Sequence, residues 1–66
     1  MTYHQIIKEE RRKQRMTQEE IAKRLGLSQT HYSKIERGET KMLVDDLIRI
    51  CKILGIRPGS LLNNDQ

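Results

Sequence analysis

The chain has 66 residues with a formal net charge of +4 at pH 7, and 33% of its residues are charged. This length fits a single domain over residues 1–66, and its core must be largely aliphatic because Phe and Trp are absent. We expect no membrane span and no signal peptide, because no apolar run approaches about 20 residues and the N-terminus is polar. The single cysteine, Cys51, excludes an internal disulfide and favours a reducing, cytoplasmic location.

The excess positive charge lies in the first half of the chain. Residues 1–34 contain eight Lys/Arg and four Glu, a net charge of +4. Residues 35–66 contain five Lys/Arg and five Asp/Glu, a net charge of zero. A one-sided basic bias is typical of a protein with a polyanionic partner. An ordinary soluble surface with a small excess of Lys and Arg explains the charge about equally well.

A first helix is predicted over residues 3–15, where Tyr3 and Ile7 can face inward. It ends in the basic run from Arg11 to Arg15. Cations at this end complement the negative end of the helix dipole, which is sufficient reason for the run. The same side chains could also reach phosphates, and the two roles are compatible.

The next stretch contains two short helices joined by a tight turn. Thr17 can cap the first of them in a capping box with Glu20, and Gly26 ends it. Ser28 can cap the second, which is predicted over Gln29 to Arg37. Two helices of about two turns with so short a connection must cross steeply, which is the arrangement of a helix-turn-helix.

Apolar residues at helical spacing predict a fourth helix from Leu43 to Leu54, ended by Gly55. Pro58 can begin a short fifth helix that carries Leu61 and Leu62. The sequence therefore predicts an all-α fold, a compact bundle of five short helices.

Three segments of the helix-turn-helix, TQEEIA, LGLS and SKIERG, together resemble the phage repressor and Cro-type (XRE-like) family of DNA-binding proteins. The resemblance covers about residues 7–62 and implies a repressor-like DNA-binding domain. It also implies a partly buried ion pair between Arg11 and Glu36. The chain departs from the family before the fourth helix, where relatives have Pro or Ser/Thr and this chain has Met42 and Leu43.

The outer face of the second motif helix, here called the recognition helix, is the candidate for reading DNA bases. If Tyr32 and Ile35 point inward, with the Tyr32 hydroxyl at the rim, four polar side chains lie outside. These are Gln29, Thr30, Ser33 and Lys34. Their amide, hydroxyl and ammonium groups match the hydrogen-bonding edges of bases in a major groove, although such residues are also common on exposed helices. The resemblance implies base contacts by Gln29, Thr30 and Lys34.

Phosphate contacts are expected from residues that flank the recognition helix. Gln18 and Ser28 stand at helix N-termini, where free N–H groups favour an anion. The resemblance implies a phosphate contact for Gln18, and Lys41 matches a basic position of the family that contacts the DNA backbone. Arg37 and Arg15 are further candidates.

These observations predict a transcriptional regulator, more specifically a repressor, that binds duplex DNA and acts by occupying an operator. A homodimer is expected because a single recognition helix discriminates too weakly among the sites of a genome. Its contact surface is expected to contain four residues near the C-terminus. These are Ile56, Pro58, Leu61 and Leu62.

The alternative function is an antitoxin-type module of a toxin–antitoxin pair, which would bind both DNA and a protein partner. We expect no enzyme, because no catalytic constellation can be argued from the sequence. We also expect no metal or cofactor, because His4, His31 and Cys51 lack metal-ligand spacing.

Overall fold

The computed structural model describes residues 2–59. These residues form four helices and no strand. The helices are α1 (Tyr3–Lys13), α2 (Gln18–Leu25), α3 (Gln29–Glu36) and α4 (Val44–Leu54). The all-α prediction is therefore confirmed, and the predicted count of five is corrected to four within the described part.

The predicted fifth helix falls at the end of the described range. Pro58 and Gly59 have helical backbone, but two residues do not make a helix. Leu61 and Leu62, which were expected to complete it, lie outside the described residues.

The first helix begins with a cap that was not predicted and ends earlier than predicted. The Thr2 side chain accepts from the Gln5 backbone N–H, and the Gln5 side chain accepts from the Thr2 N–H. At the other end the chain reverses at Arg15, whose φ is 56°. The Met16 N–H donates to the Arg11 carbonyl across this turn. Because a left-handed residue cannot continue a right-handed helix, α1 ends at Lys13 rather than at Arg15.

The caps of α2 and α3 lie where the sequence predicts them. Thr17 and Glu20 form a reciprocal capping box, and Gly26 takes the left-handed conformation after α2 with φ 74°. The Ser28 hydroxyl oxygen accepts from the His31 N–H at the start of α3. The turn between α2 and α3 is therefore only a few residues long, and it holds them as a helix-turn-helix.

The core lies where α1 and α2 meet the other two helices. Each of α1 and α2 packs against both α3 and α4, whereas α3 and α4 do not pack on each other within residues 2–59. Nine hydrophobic residues are buried there. They are Ile7, Ile21, Ala22, Leu25, Tyr32, Ile35, Ile50, Cys51 and Leu54. This arrangement leaves the outer face of α3 uncovered by α4.

Tyr32 corrects one expectation. Its hydroxyl was expected at the rim, but the residue is 0% exposed and is the largest of the fully buried side chains. In a core without Phe or Trp, Tyr32 takes the place of a large apolar residue, so its ring and its hydroxyl lie inside.

Helix α4 begins without a side-chain cap, as its sequence suggests, because an apolar residue stands at the N-cap position. Leu43 is the N-cap residue and makes no side-chain cap hydrogen bond. Leu43 and Val44 are 63% and 71% exposed. Asp45 and Asp46 in the first turn supply negative charge near the positive end of the helix dipole. None of the helices in residues 2–59 is both long enough and apolar enough to traverse a lipid bilayer.

Candidate nucleic-acid interface

The outer face of α3 presents three exposed polar side chains. Gln29, Thr30 and Lys34 are exposed, and Ser33 is half-buried beside them. These positions share one face because residues three and four apart are neighbours on a helix. The opposite face is anchored by Tyr32 and other buried side chains. The recognition helix therefore has a fixed rotation about its axis, with its polar face outward.

The half-buried Ser33 is tied to the start of α2. Its hydroxyl donates to Gln18 Oε1 over 2.6 Å. The amide Nε2 of Gln18 donates in turn to Glu36 Oε1 over 3.1 Å. Gln18 and Ser33, which the sequence assigned to phosphate and to base contacts respectively, are thus hydrogen-bonded to each other. One N–H of the Gln18 amide remains for an external acceptor.

The structure brings Arg11 and Glu36 into a bidentate ion pair between α1 and α3. Arg11 Nε lies 2.9 Å from Glu36 Oε2, and Arg11 Nη2 lies 2.9 Å from Oε1. Arg11 Nη1 donates to the Met16 carbonyl oxygen over 2.8 Å. The two charged side chains are only 10% and 1% exposed. A planar guanidinium with all these donors in use holds a carboxylate more rigidly than lysine could.

This pairing decides the charge of Glu36. Burial by itself would raise the pKa of the carboxyl group, but hydrogen bonds from Arg11 and Gln18, with the positive charge of Arg11, lower it below its ordinary value of 4.5. The hydrogen bond to Glu36 likewise raises the pKa of Arg11 above its ordinary value. Both groups are therefore charged at neutral pH.

The Tyr32 hydroxyl lies next to this pair. It is buried and completes no hydrogen bond within residues 2–59. Burial is the main reason its pKa is raised, and the negative charge of Glu36 adds to the effect. Tyr32 is therefore neutral at any physiological pH.

The remaining phosphate candidates lie around the recognition helix and differ in whether their donor groups are already used within the protein. The Ser28 hydroxyl uses its oxygen for the cap, so its hydrogen can still donate. Lys41 is exposed in the loop after α3, and Arg15 is exposed at the end of α1. Arg37 pairs with Glu39, with Nε 2.6 Å from Oε2, so its charge is already partly neutralised.

An open depression lies beside the polar face of α3. It is lined by Ser28, Thr30, His31, Lys34 and Thr40. Neither His31 nor Thr40 is among the DNA-contacting residues predicted from the sequence. Thr40 belongs to the loop between α3 and α4, and its position against α3 could not be read from helical spacing.

The predicted dimer residues are only partly described. Ile56 is half-buried and packs against the core, and Pro58 is exposed. Leu61 and Leu62 lie outside the described residues. No three His, Cys, Asp or Glu side chains in the described part are grouped so as to hold a metal ion.

Comparison with known proteins identifies the family of this chain. Residues 7–61 match the helix-turn-helix family HTH_3. The chain belongs to the helix-turn-helix family. The predicted membership of an XRE-like helix-turn-helix family is thereby confirmed. Members of this family are DNA-binding transcription regulators. Such regulators are not normally enzymes.

A relative of this helix-turn-helix protein is the control protein C.BamHI of Bacillus amyloliquefaciens. The two are 39% identical over 51 residues, which make up 77% of this chain and 63% of the relative. The chain therefore spans less than two thirds of the relative's length. The comparison with solved structures gave no match. The antitoxin alternative is not favoured by these findings.

Proposed function

We propose that this protein is a transcriptional regulator that binds a specific sequence of duplex DNA with α3 in the major groove. The observation that carries the proposal is the exposed polar face of α3, which α4 leaves uncovered. Regulation follows from position: a protein bound at an operator blocks polymerase or recruits it. We further propose repression, by one domain over residues 1–66 in the cytoplasm.

The three exposed candidate side chains on the outer face of α3 have complementary chemistry for reading bases. The Gln29 amide can bind adenine through two hydrogen bonds, and the Lys34 ammonium can donate to O6 and N7 of guanine. The Thr30 hydroxyl can donate or accept, and its methyl group can contact the thymine methyl. All three side chains are exposed, so binding DNA does not require α3 to be rearranged.

The groups around α3 are suited to the DNA backbone. Gln18 and Ser28 stand at the N-termini of α2 and α3, where the helix dipole favours an anion. Each has a hydrogen left to donate. Lys41 adds an exposed cation, and Arg15 and Arg37 are further candidates. These contacts would set the register and the affinity but not the sequence preference.

The proposal includes a homodimer on a near-palindromic site. Each good bidentate base contact is worth about 1–3 kcal/mol, so three or four side chains discriminate too weakly against a genome of competing sites. Two recognition helices reading half-sites about 34 Å apart would double the specific contacts. The proposed contact surface contains Ile56, Pro58, Leu61 and Leu62.

Selection of binding sites from random duplex DNA tests the proposal directly. The expected result is an enriched motif with two inverted half-sites about 10 base pairs apart. Sedimentation of the protein on that DNA should give two chains per duplex. Recovery of random sequences would reject sequence-specific binding, and a single unrepeated motif bound by one chain would reject the dimer alone.

A further inference from the structure

We propose that Ser33 reads DNA only as a hydrogen-bond acceptor, so that it selects a base bearing an amino group at one position of each half-site. In the major groove such groups are the adenine N6 and the cytosine N4. This inference rests on the proposed function, since it assumes that α3 lies in the major groove. It assigns Ser33 a polarity that an isolated serine does not have, because a free hydroxyl can donate or accept.

The polarity originates at the buried ion pair. Arg11 can only donate, and the ionised Glu36 carboxylate can only accept. The Gln18 amide group within 3.1 Å of Glu36 Oε1 must therefore be the nitrogen, because an oxygen there would face another oxygen without a proton. The orientation of the Gln18 amide is thus fixed by the charge of Glu36.

The orientation of the Gln18 amide in turn fixes the direction of the hydrogen bond with Ser33. With the Gln18 nitrogen turned to Glu36, its oxygen faces Ser33 at 2.6 Å. An amide oxygen only accepts, so the Ser33 hydroxyl must supply the proton. The Ser33 oxygen then has only lone pairs left for an external group. A buried charge pair between α1 and α3 therefore determines what a half-buried hydroxyl at the α2–α3 junction can bind.

The position of Ser33 makes this polarity relevant to specificity. Ser33 lies four residues after Gln29 and three after Thr30, in the same row of the outer face of α3. A phosphate offers only acceptors, so an acceptor-only Ser33 has no favourable contact with the DNA backbone. Its remaining lone pairs suit a donor, and base amino groups are the donors that the major groove presents.

The test uses the site recovered by selection and a pair of matched DNA ligands. At each base pair where adenine or cytosine is preferred, one ligand keeps the amino group and the other carries purine or 2-pyrimidinone, which lack it. We expect one position per half-site where removing the amino group weakens wild-type binding by about 2- to 12-fold, the range of one neutral hydrogen bond. At that position S33A should bind both ligands equally, while K34A should retain the wild-type ratio.

A second variant reverses the polarity without removing Ser33. Q18A deletes the acceptor of the Ser33 proton and frees the hydroxyl to donate. We expect Q18A to tolerate guanine or thymine at the Ser33 position, because each presents a carbonyl acceptor in the major groove. Thermal unfolding of S33A and Q18A, measured alongside, establishes that both variants are folded.

Three results would overturn the inference. S33A could keep every base preference of the wild type. It could also lose affinity equally for all DNA, which would mean that Ser33 only positions Gln18 and does not contact a base. The wild type could also prefer a carbonyl-bearing base wherever S33A changes the preference. Failure of the wild-type protein to select any site would instead refute the proposed function itself. If K34A changes the base preference and S33A does not, only the role of Ser33 is refuted.

Discussion

The Arg11 guanidinium donates to both carboxylate oxygens of Glu36, which lies 25 residues further along the chain. This pair fastens the recognition helix to α1 and holds the amide of Gln18 in place through Glu36. Its removal should affect stability more than base preference, because neither charged side chain is exposed enough to reach DNA freely and only the preference at Ser33 depends on Glu36 through Gln18.

Replacement of Arg11 by Ala should lower the free energy of unfolding by about 3–5 kcal/mol, because it leaves the Glu36 carboxylate buried without its counter-charge. Urea denaturation at neutral pH measures this loss. The matched control is Lys13→Ala, which removes a side chain that is 70% exposed and, among residues 2–59, pairs only with Glu10 on the same helix. If the two variants unfold at the same urea concentration, Arg11–Glu36 does not stabilise the fold.

Stability should fall in acid as Glu36 is protonated. The pKa of Glu36 is lowered in the folded protein, so the unfolded chain binds more protons between that value and 4.5. The free energy of unfolding therefore rises with pH across this window and is fully restored above about 4.5. Urea titrations at a series of pH values give the free energy of unfolding at each pH. Its increase with pH should be shallower for Glu36→Gln than for the wild type. An exposed control, Glu39→Gln, should retain most of the Glu36-dependent slope, and an unchanged slope in Glu36→Gln would contradict the assignment.

Adding an N-cap side chain at the uncapped start of α4 should stabilise the protein. Leu43→Ser places a hydroxyl at the N-cap position and should stabilise the protein by about 0.5–2 kcal/mol. Little apolar burial is lost because Leu43 is 63% exposed. Leu43→Ala removes the same side chain without adding a cap, so thermal unfolding of the two variants isolates the cap. A Ser variant no more stable than the Ala variant would show that the free backbone N–H groups in the first turn of α4 do not donate to the introduced hydroxyl.

Lys34 and Lys41 should respond differently to truncation. Lys34→Ala is expected to weaken binding to the selected site by about 1–3 kcal/mol and to relax the preference at one base pair. Lys41→Ala should weaken binding to all sequences and reduce the slope of log affinity against log salt by about one. Binding titrations on specific and random duplexes at several salt concentrations measure both. An equal loss on all sequences for Lys34→Ala would remove it from the base-reading set.

Elements defined by local chemistry were predictable from the sequence. The capping box of Thr17 and Glu20, the left-handed Gly26 and the Ser28 cap each depend on residues within about four positions. The end of α1 was placed two residues too late, because nothing in the side chain of Arg15 signals a left-handed turn.

Contacts between distant segments could not be read in the same way. Gln14 Nε2 donates to the Leu54 carbonyl oxygen over 2.7 Å, and Arg49 Nη2 donates to the Leu25 carbonyl oxygen. Each satisfies the carbonyl at the end of a helix far away in sequence. Helical spacing also assigned Ser33 to the outer face without revealing that its proton is committed to Gln18, because that depends on how α2 and α3 cross.

The absence of packing between α3 and α4 in the described residues separates two kinds of change. A substitution on the outer face of α3 and one on the exposed side of α4 change side chains that do not contact each other, so their effects on free energy should add. The DNA preference of α3 could then be exchanged by directed evolution while α4 is altered in parallel for solubility or assembly. Helices α1 and α2, which each pack against both α3 and α4, would stay unchanged.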